Sequence, residues 1–171
     1  MGNSRSQLSP GVPATNSAAE EKLPQKLDKS HRVEERSALF HLELGKNAQD
    51  RNEWRGALEH YALGLSCAPK EPRTLYLLYN NGAHCRNMLG FYAEAEQYSR
   101  LAIATDSKRY EAYMNLGISL QGQADVIGAV WCFVETLKLN PLNLQTAELL
   151  RQLLIDHPTL PLRSPPGFSW S

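Results

Sequence analysis

The apolar positions of this chain fall on a helical rhythm from about Val33 to Asp156. Between Tyr110 and Pro141 the rhythm is most regular. Tyr113, Leu116, Gly117 and Leu120 stand at i, i+3, i+4 and i+7, and after a polar break Val126, Ala129, Val130, Phe133 and Leu137 resume it. Two amphipathic helices around a short break, closed by a proline, predict a helical hairpin. Gly117 and Ala129, one on each stripe, let the two backbones approach closely.

The hairpin recurs twice. An earlier copy carries Phe40 or His41, Leu44, Gly45 and Ala48, then the polar run Gln49 to Asn52, then Trp54, Ala57, Leu58, Tyr61 and Leu65, and ends at Pro69. A copy between the two carries Tyr79 and Ala83, a break at Leu89-Gly90, then Tyr92, Ala95, Ala102 and Ile103. Gly90 suits a helix end because it tolerates the left-handed conformation. Ala57, Ala95 and Ala129 mark the register and lie 38 and 34 residues apart. The excess falls at Pro72 to Leu75 and is close to one turn of about 3.6 residues. It predicts a helix lengthened at its start, with Pro72 in the first turn and the apolar stripe kept on one face. Periods of this length mark solenoids of stacked hairpins.

Beyond Pro141 one further amphipathic helix is expected over 143–156. Ala147, Leu150 and Leu154 form one stripe and Leu149 and Leu153 another, as suits a helix that covers the last apolar face of an array. Residues 1–32 are rich in Ser, Pro, Ala, Gly and Asn and predict a disordered N-terminal tail. Residues 157–171 predict an extended, proline-rich C-terminal tail.

The repeated residues resemble those of tetratricopeptide repeats, whose pattern is W-x2-L-G-x2-Y followed by Ala, an aromatic, a small residue and Pro. The last copy presents Tyr113, Leu116, Gly117, Leu120, Ala129, Phe133, Thr136 and Pro141; the first presents His41, Leu44, Gly45, Ala48, Ala57, Tyr61, Gly64 and Pro69. The middle copy presents Tyr79, Gly82, Ala83, Arg86, Ala95, Ser99, Ala102 and Ser107, and its Gly82, Arg86 and Ser99 depart from the large apolar types, which predicts looser packing there. The resemblance implies an all-α fold, a right-handed α-α superhelix of about seven helices. The repeats would span about 38–71, 72–109 and 110–143, with a capping helix over 143–156, in a domain over 33–156.

In that family the first helix of each pair lines a concave groove. The resemblance therefore places a peptide-binding groove at Leu42 and Lys46 on the first such helix, at Asn80, Asn81 and His84 on the second, and at Met114, Asn115 and Ile118 on the third. Flanking candidates are Glu43, Gln49, Leu77, Asn87, Glu111 and Gln121. Asn81 and Asn115 lie 34 residues apart and predict a short ladder of amides. An amide both donates and accepts, so such a ladder suits the backbone of an extended peptide. Family members that grip the C-terminal carboxylate of chaperone tails use a Lys/Asn pair, an Asn and a Lys/Arg pair. Here Leu42 and Lys46 stand at the first pair, Asn81 at the central Asn, and Glu111 and Asn115 at the last pair. Two cations are missing, and Glu111 would repel a carboxylate.

Composition and charge narrow this picture. The 171 residues hold 18 basic and 18 acidic side chains without a basic run, which argues against a nucleic-acid surface. Cys67, Cys85 and Cys132 form no CxxC pair and read as small buried apolar groups in a reducing, cytoplasmic setting. No apolar run is long enough to span a membrane. Gly2 and Ser6 match the M-G-x-x-x-[ST] pattern of N-myristoylation. His31, His41, His60, His84 and His157 make no paired i, i+3 or i+4 set, and no catalytic, phosphate-loop or metal motif appears. The expected function is a non-enzymatic adaptor or scaffold that binds a protein or peptide partner without cofactor or metal. The alternatives are a dedicated cytosolic chaperone resembling those of bacterial secretion systems, or a factor that self-associates weakly through its last helix.

Overall fold

The computed structural model describes residues 23–160, side chains from residue 29 onward. Seven helices and no strand occur among the described residues: α1 (Leu23–Asp50), α2 (Trp54–Ser66), α3 (Pro72–Met88), α4 (Tyr92–Thr105), α5 (Tyr110–Gly122), α6 (Val126–Leu139) and α7 (Leu144–Asp156). They pair as α1/α2, α3/α4 and α5/α6, each hairpin packed on the next, and α7 closes the row against α6. Successive first helices also touch, α1 to α3 and α3 to α5, while no comparable contact joins α2, α4 and α6. The row therefore curves with α1, α3 and α5 on its inner side, an all-α superhelix.

Small residues set the spacing within each hairpin. A methyl group built on Gly45 would lie 2.3 Å from the Tyr61 ring, and one on Gly117 would lie 2.5 Å from the Phe133 ring. Tyr61 and Phe133 are fully buried, each against the first helix of its own pair. In the middle hairpin the same lock has moved by one residue. Tyr98, not Ser99, covers α3, and Gly82, not Ala83, lies beneath it, with a built methyl 3.1 Å from the Tyr98 ring. Arg86 then lies over the Tyr98 ring at 3.6 Å and donates from Nη1 to the Gly82 carbonyl at 3.1 Å, while Tyr79 meets Tyr98 edge-on at 5.9 Å. Ser99 is buried and its hydroxyl donates to the Ala95 carbonyl at 2.8 Å. The looser packing expected of this repeat is absent. Arg86 supplies a planar, stackable side chain where the pattern has an aromatic one.

Two of the three core clusters among the described residues follow from these locks. One holds Leu42, Ala48, Ala57, Tyr61, Leu78 and Cys85, and the other Leu116, Leu120, Ala129, Val130, Cys132, Phe133 and Leu153. Leu153 brings α7 into the second cluster, with Leu149 and Leu150 packed against it. α3 has 17 residues to α5's 13, with Pro72 in its first turn, so the four extra residues of the middle repeat extend that helix at its start. α1 begins at Leu23, so the expected boundary at Val33 falls inside a helix. Its first three turns carry few apolar residues, so the regular stripe used to place the start is not yet present there. Gly2, and the tails beyond 23 and 160, lie outside the described residues.

Candidate functional site

The inner face is built from one side of α1, α3 and α5. Lys46 stands exposed on α1, and its Nζ donates to Glu43 Oε2 at 3.2 Å one turn back. On α3, Asn80 and Asn81 are half-buried, and Asn80 Nδ2 donates to Asn81 Oδ1 at 3.4 Å. His84, one turn further along, is half-buried with its ring edge-on to Trp54 at 5.7 Å. Burial holds its pKa below the ordinary histidine value, and the neighbouring Asn115 amide offsets this only in part. On α5, Met114 and Ile118 are half-buried, and the Asn143 side-chain amide lies 4.0 Å from Met114 Sδ.

Two of the expected groove residues are placed otherwise. Leu42 is 5% exposed and packs in the first core cluster beside Tyr61 and Leu78, so it does not line the groove. Burying a leucine contributes roughly 1.5–3 kcal/mol, and a leucine at the edge of the stripe turns inward when α3 supplies a wall. Asn115 is 2% exposed and is used inside the protein. Its Nδ2 donates to Asn80 Oδ1 at 3.0 Å and to the Asn80 carbonyl at 3.3 Å, and its own carbonyl accepts from Asn87 Nδ2 at 2.9 Å. The Ser119 hydroxyl lies 2.8 Å from that carbonyl and 2.9 Å from Asn87 Oδ1, donating to one at a time. Asn81 and Asn115 are therefore not equivalent rungs of an open ladder. One is half-exposed, and the other joins α5 to α3.

Beneath the face, the Tyr61 hydroxyl donates to Gln49 Oε1 at 2.9 Å, and Cys85 Sγ approaches the same oxygen at 3.6 Å. All three cysteines are free. Burial pushes the Cys85 thiol up to about 11 and the Cys132 thiol up to about 12, which removes the reactive thiolate. At the end of the face, Glu111 Oε2 accepts from the Tyr76 hydroxyl at 3.3 Å.

A cavity of about 340 Å³ opens between α1 and the first turns of α3, lined by Glu35, Leu39, Glu71, Arg73, Thr74 and Leu77. Leu39 is 46% exposed there. Glu35 Oε2 accepts from the backbone N–H groups of Lys70 at 3.2 Å and Glu71 at 3.3 Å, while its Oε1 is buried without a partner. Of these residues the sequence pattern had pointed only to Leu77. The signal for Leu39 is nonetheless present, since Leu39, Leu77 and Glu111 are spaced 38 and 34 residues apart, as are the register alanines.

Among solved structures the chain is similar to tetratricopeptide-repeat (TPR) domains. The first TPR of Spaghetti (RPAP3) bound to HSP90 peptide SRMEEVD is 24% identical, with a TM-score of 0.65 over 71% of this chain and 94% of that one. The Arabidopsis OM64 TPR domain is 23% identical, with a TM-score of 0.65 over 72% and 98%. The C-terminal TPR-containing domain of a Plasmodium falciparum putative FK506-binding protein is 18% identical, with a TM-score of 0.69 over 74% and 91%. No family model and no curated protein matches the sequence. The chain has the tetratricopeptide-repeat fold. Among the described residues no helix is long and apolar enough to cross a membrane.

Proposed function

We propose that this chain is a non-catalytic adaptor that holds an extended peptide or short helix of a partner protein along its inner face. The observation that carries the reading is the row of half-buried or exposed side chains on successive first helices, Lys46, Asn80, Asn81, His84, Met114 and Ile118. Such a row offers amide groups to a peptide backbone and apolar anchors to its side chains. The similar Spaghetti domain is bound to an acidic peptide, SRMEEVD. The face of this chain is ill suited to an acidic tail, because Leu42 is buried, Lys46 already pairs with Glu43, and Glu111 places a carboxylate at the far end.

Photo-crosslinking from Met114 or Ile118 in the native cell, set against Gln97 on α4, identifies the partner. Titration calorimetry with that purified partner then tests the face. Ile118→Glu is expected to weaken binding by about tenfold or more, which is about 1.4 kcal/mol, and Gln97→Glu to leave it unchanged. Equal affinities for the two variants would overturn the reading.

A further inference from the structure

We propose that the cavity between α1 and the start of α3 is a side-chain pocket for a lysine or arginine of the bound partner. The inference rests on the inner-face reading and names one subsite of it. The pocket has apolar walls and an unserved acceptor. Leu39 and Leu77 supply the walls, and Thr74, 4% exposed, closes the floor. Glu35 reaches in from α1, with one carboxylate oxygen holding the Lys70 and Glu71 N–H groups and the other buried without a partner. A buried, unpaired carboxylate oxygen is costly, and a charged donor relieves that cost most fully.

Lysine and arginine have the matching shape, an apolar stem ending in a cationic donor. The stem lies along Leu39 and Leu77, and the head meets the Glu35 carboxylate, whose Oε1 turns out of its buried position to receive it. Glu71 on the rim adds a second carboxylate, and Arg73 is the one cation lining this cavity. Arg32 and Arg36 line, together with Glu35, a second cavity of about 330 Å³. An acidic ligand would set a further acceptor against Glu35 Oε1. The positive end of α3, the usual attraction for an anion, already has the Glu35 carboxylate on it.

The test is a methyl NMR titration of the full chain, labelled at Leu, Ile and Met. The probes are acetyl-Ala-Leu-Lys-Leu-Ala-amide and its counterparts with norleucine or glutamate in place of lysine. The lysine peptide is expected to shift the Leu39 and Leu77 methyls and to bind about ten- to a hundredfold more tightly than the norleucine peptide, the range of one charge-assisted hydrogen bond. The glutamate peptide is expected to leave both methyls in place. Glu35→Gln should bring the lysine peptide to the norleucine level. That substitution keeps a side-chain oxygen for the Lys70 and Glu71 N–H groups, and a thermal melt verifies the fold. Arg73→Gln should leave lysine binding equal or stronger.

Equal response to the glutamate peptide, loss of lysine binding in Arg73→Gln, or no shift of Leu39 and Leu77 in the low millimolar range would each overturn the pocket. Shifts confined to Met114 and Ile118 would refute the pocket while leaving the inner-face reading intact.

Discussion

A glycine in this array is valuable or dispensable according to what faces it. At Gly117 a methyl group would meet the Phe133 ring at 2.5 Å, and that ring is buried on every side. Gly117→Ala is expected to cost about 1–3 kcal/mol, the usual range for overpacking a core. At Gly56 on α2 nothing lies within 4 Å of the added carbon. Gly56→Ala is expected to stabilise by about 0.5–1 kcal/mol, because alanine loses less backbone freedom in a helix. Urea midpoints of the two variants, moving in opposite directions, check both. Equal shifts would mean that Phe133 can retreat.

His84 adds a pH dependence at the same scale. Burial lowers its folded pKa below the unfolded value, so the unfolded chain takes up the proton first as pH falls. Stability attributable to this group is present in full above the unfolded value, about 6.5. It is lost as pH falls below that value towards the folded pKa. Urea unfolding at pH 7.5 and at pH 5.5 should show the natural chain weaker at the lower pH. A His84→Asn variant should lose that share of the difference.

Among the elements, the helix starts differ in how their free N–H groups are met. Asp125 accepts from the Gly128 N–H at 3.0 Å to cap α6, and Asn143 accepts from the Thr146 N–H at 2.9 Å to cap α7. Glu53, Glu71, Phe91 and Arg109, at the starts of α2 to α5, make no such side-chain bond. For α3 a carboxylate from another helix, Glu35, takes over part of the role. Asp125→Ala is expected to cost about 1 kcal/mol of stability, measured by denaturant unfolding, since a lost cap leaves an orphan donor at the helix end.

The helices themselves were legible in the sequence because each lock recurs in register: Gly45 with Tyr61 and Gly117 with Phe133 repeat one contact. What was not legible is set across helices. The pattern marks Leu42 as offset from the stripe, but its burial depends on α3 lying close enough to wall it in. Asn115 looks like a partner-facing amide until Asn80, on another helix, accepts its hydrogens. The middle repeat reads as weak because its glycine and its aromatic had each shifted by one, a change that preserves the contact while breaking the pattern.

At the scale of the whole molecule α7 departs from the register of the repeats. Counting the 34-residue period on from Gly117 reaches Arg151 on α7. Where the first and third repeats place Gly45 and Gly117 against the second helix of the pair, α7 presents a long cation, paired to Glu148 one turn away. A second helix packed there at the distance that Phe133 keeps from Gly117 would have to displace the Arg151 side chain. Yet the same end is apolar. Leu142 is 86% and Leu144 82% exposed, and Leu154 and Ile155 are exposed as well. If copies of the chain associate through α7, these side chains supply the attraction and Arg151 limits the approach. Sedimentation velocity over a range of concentrations is therefore expected to show weak association at most in the natural chain. Arg151→Ala is expected to strengthen it, since it removes a charge and a long side chain from beside the exposed part of the apolar stripe, Leu154. Association unchanged in that variant would show that the stripe is not where copies meet, whatever its exposure.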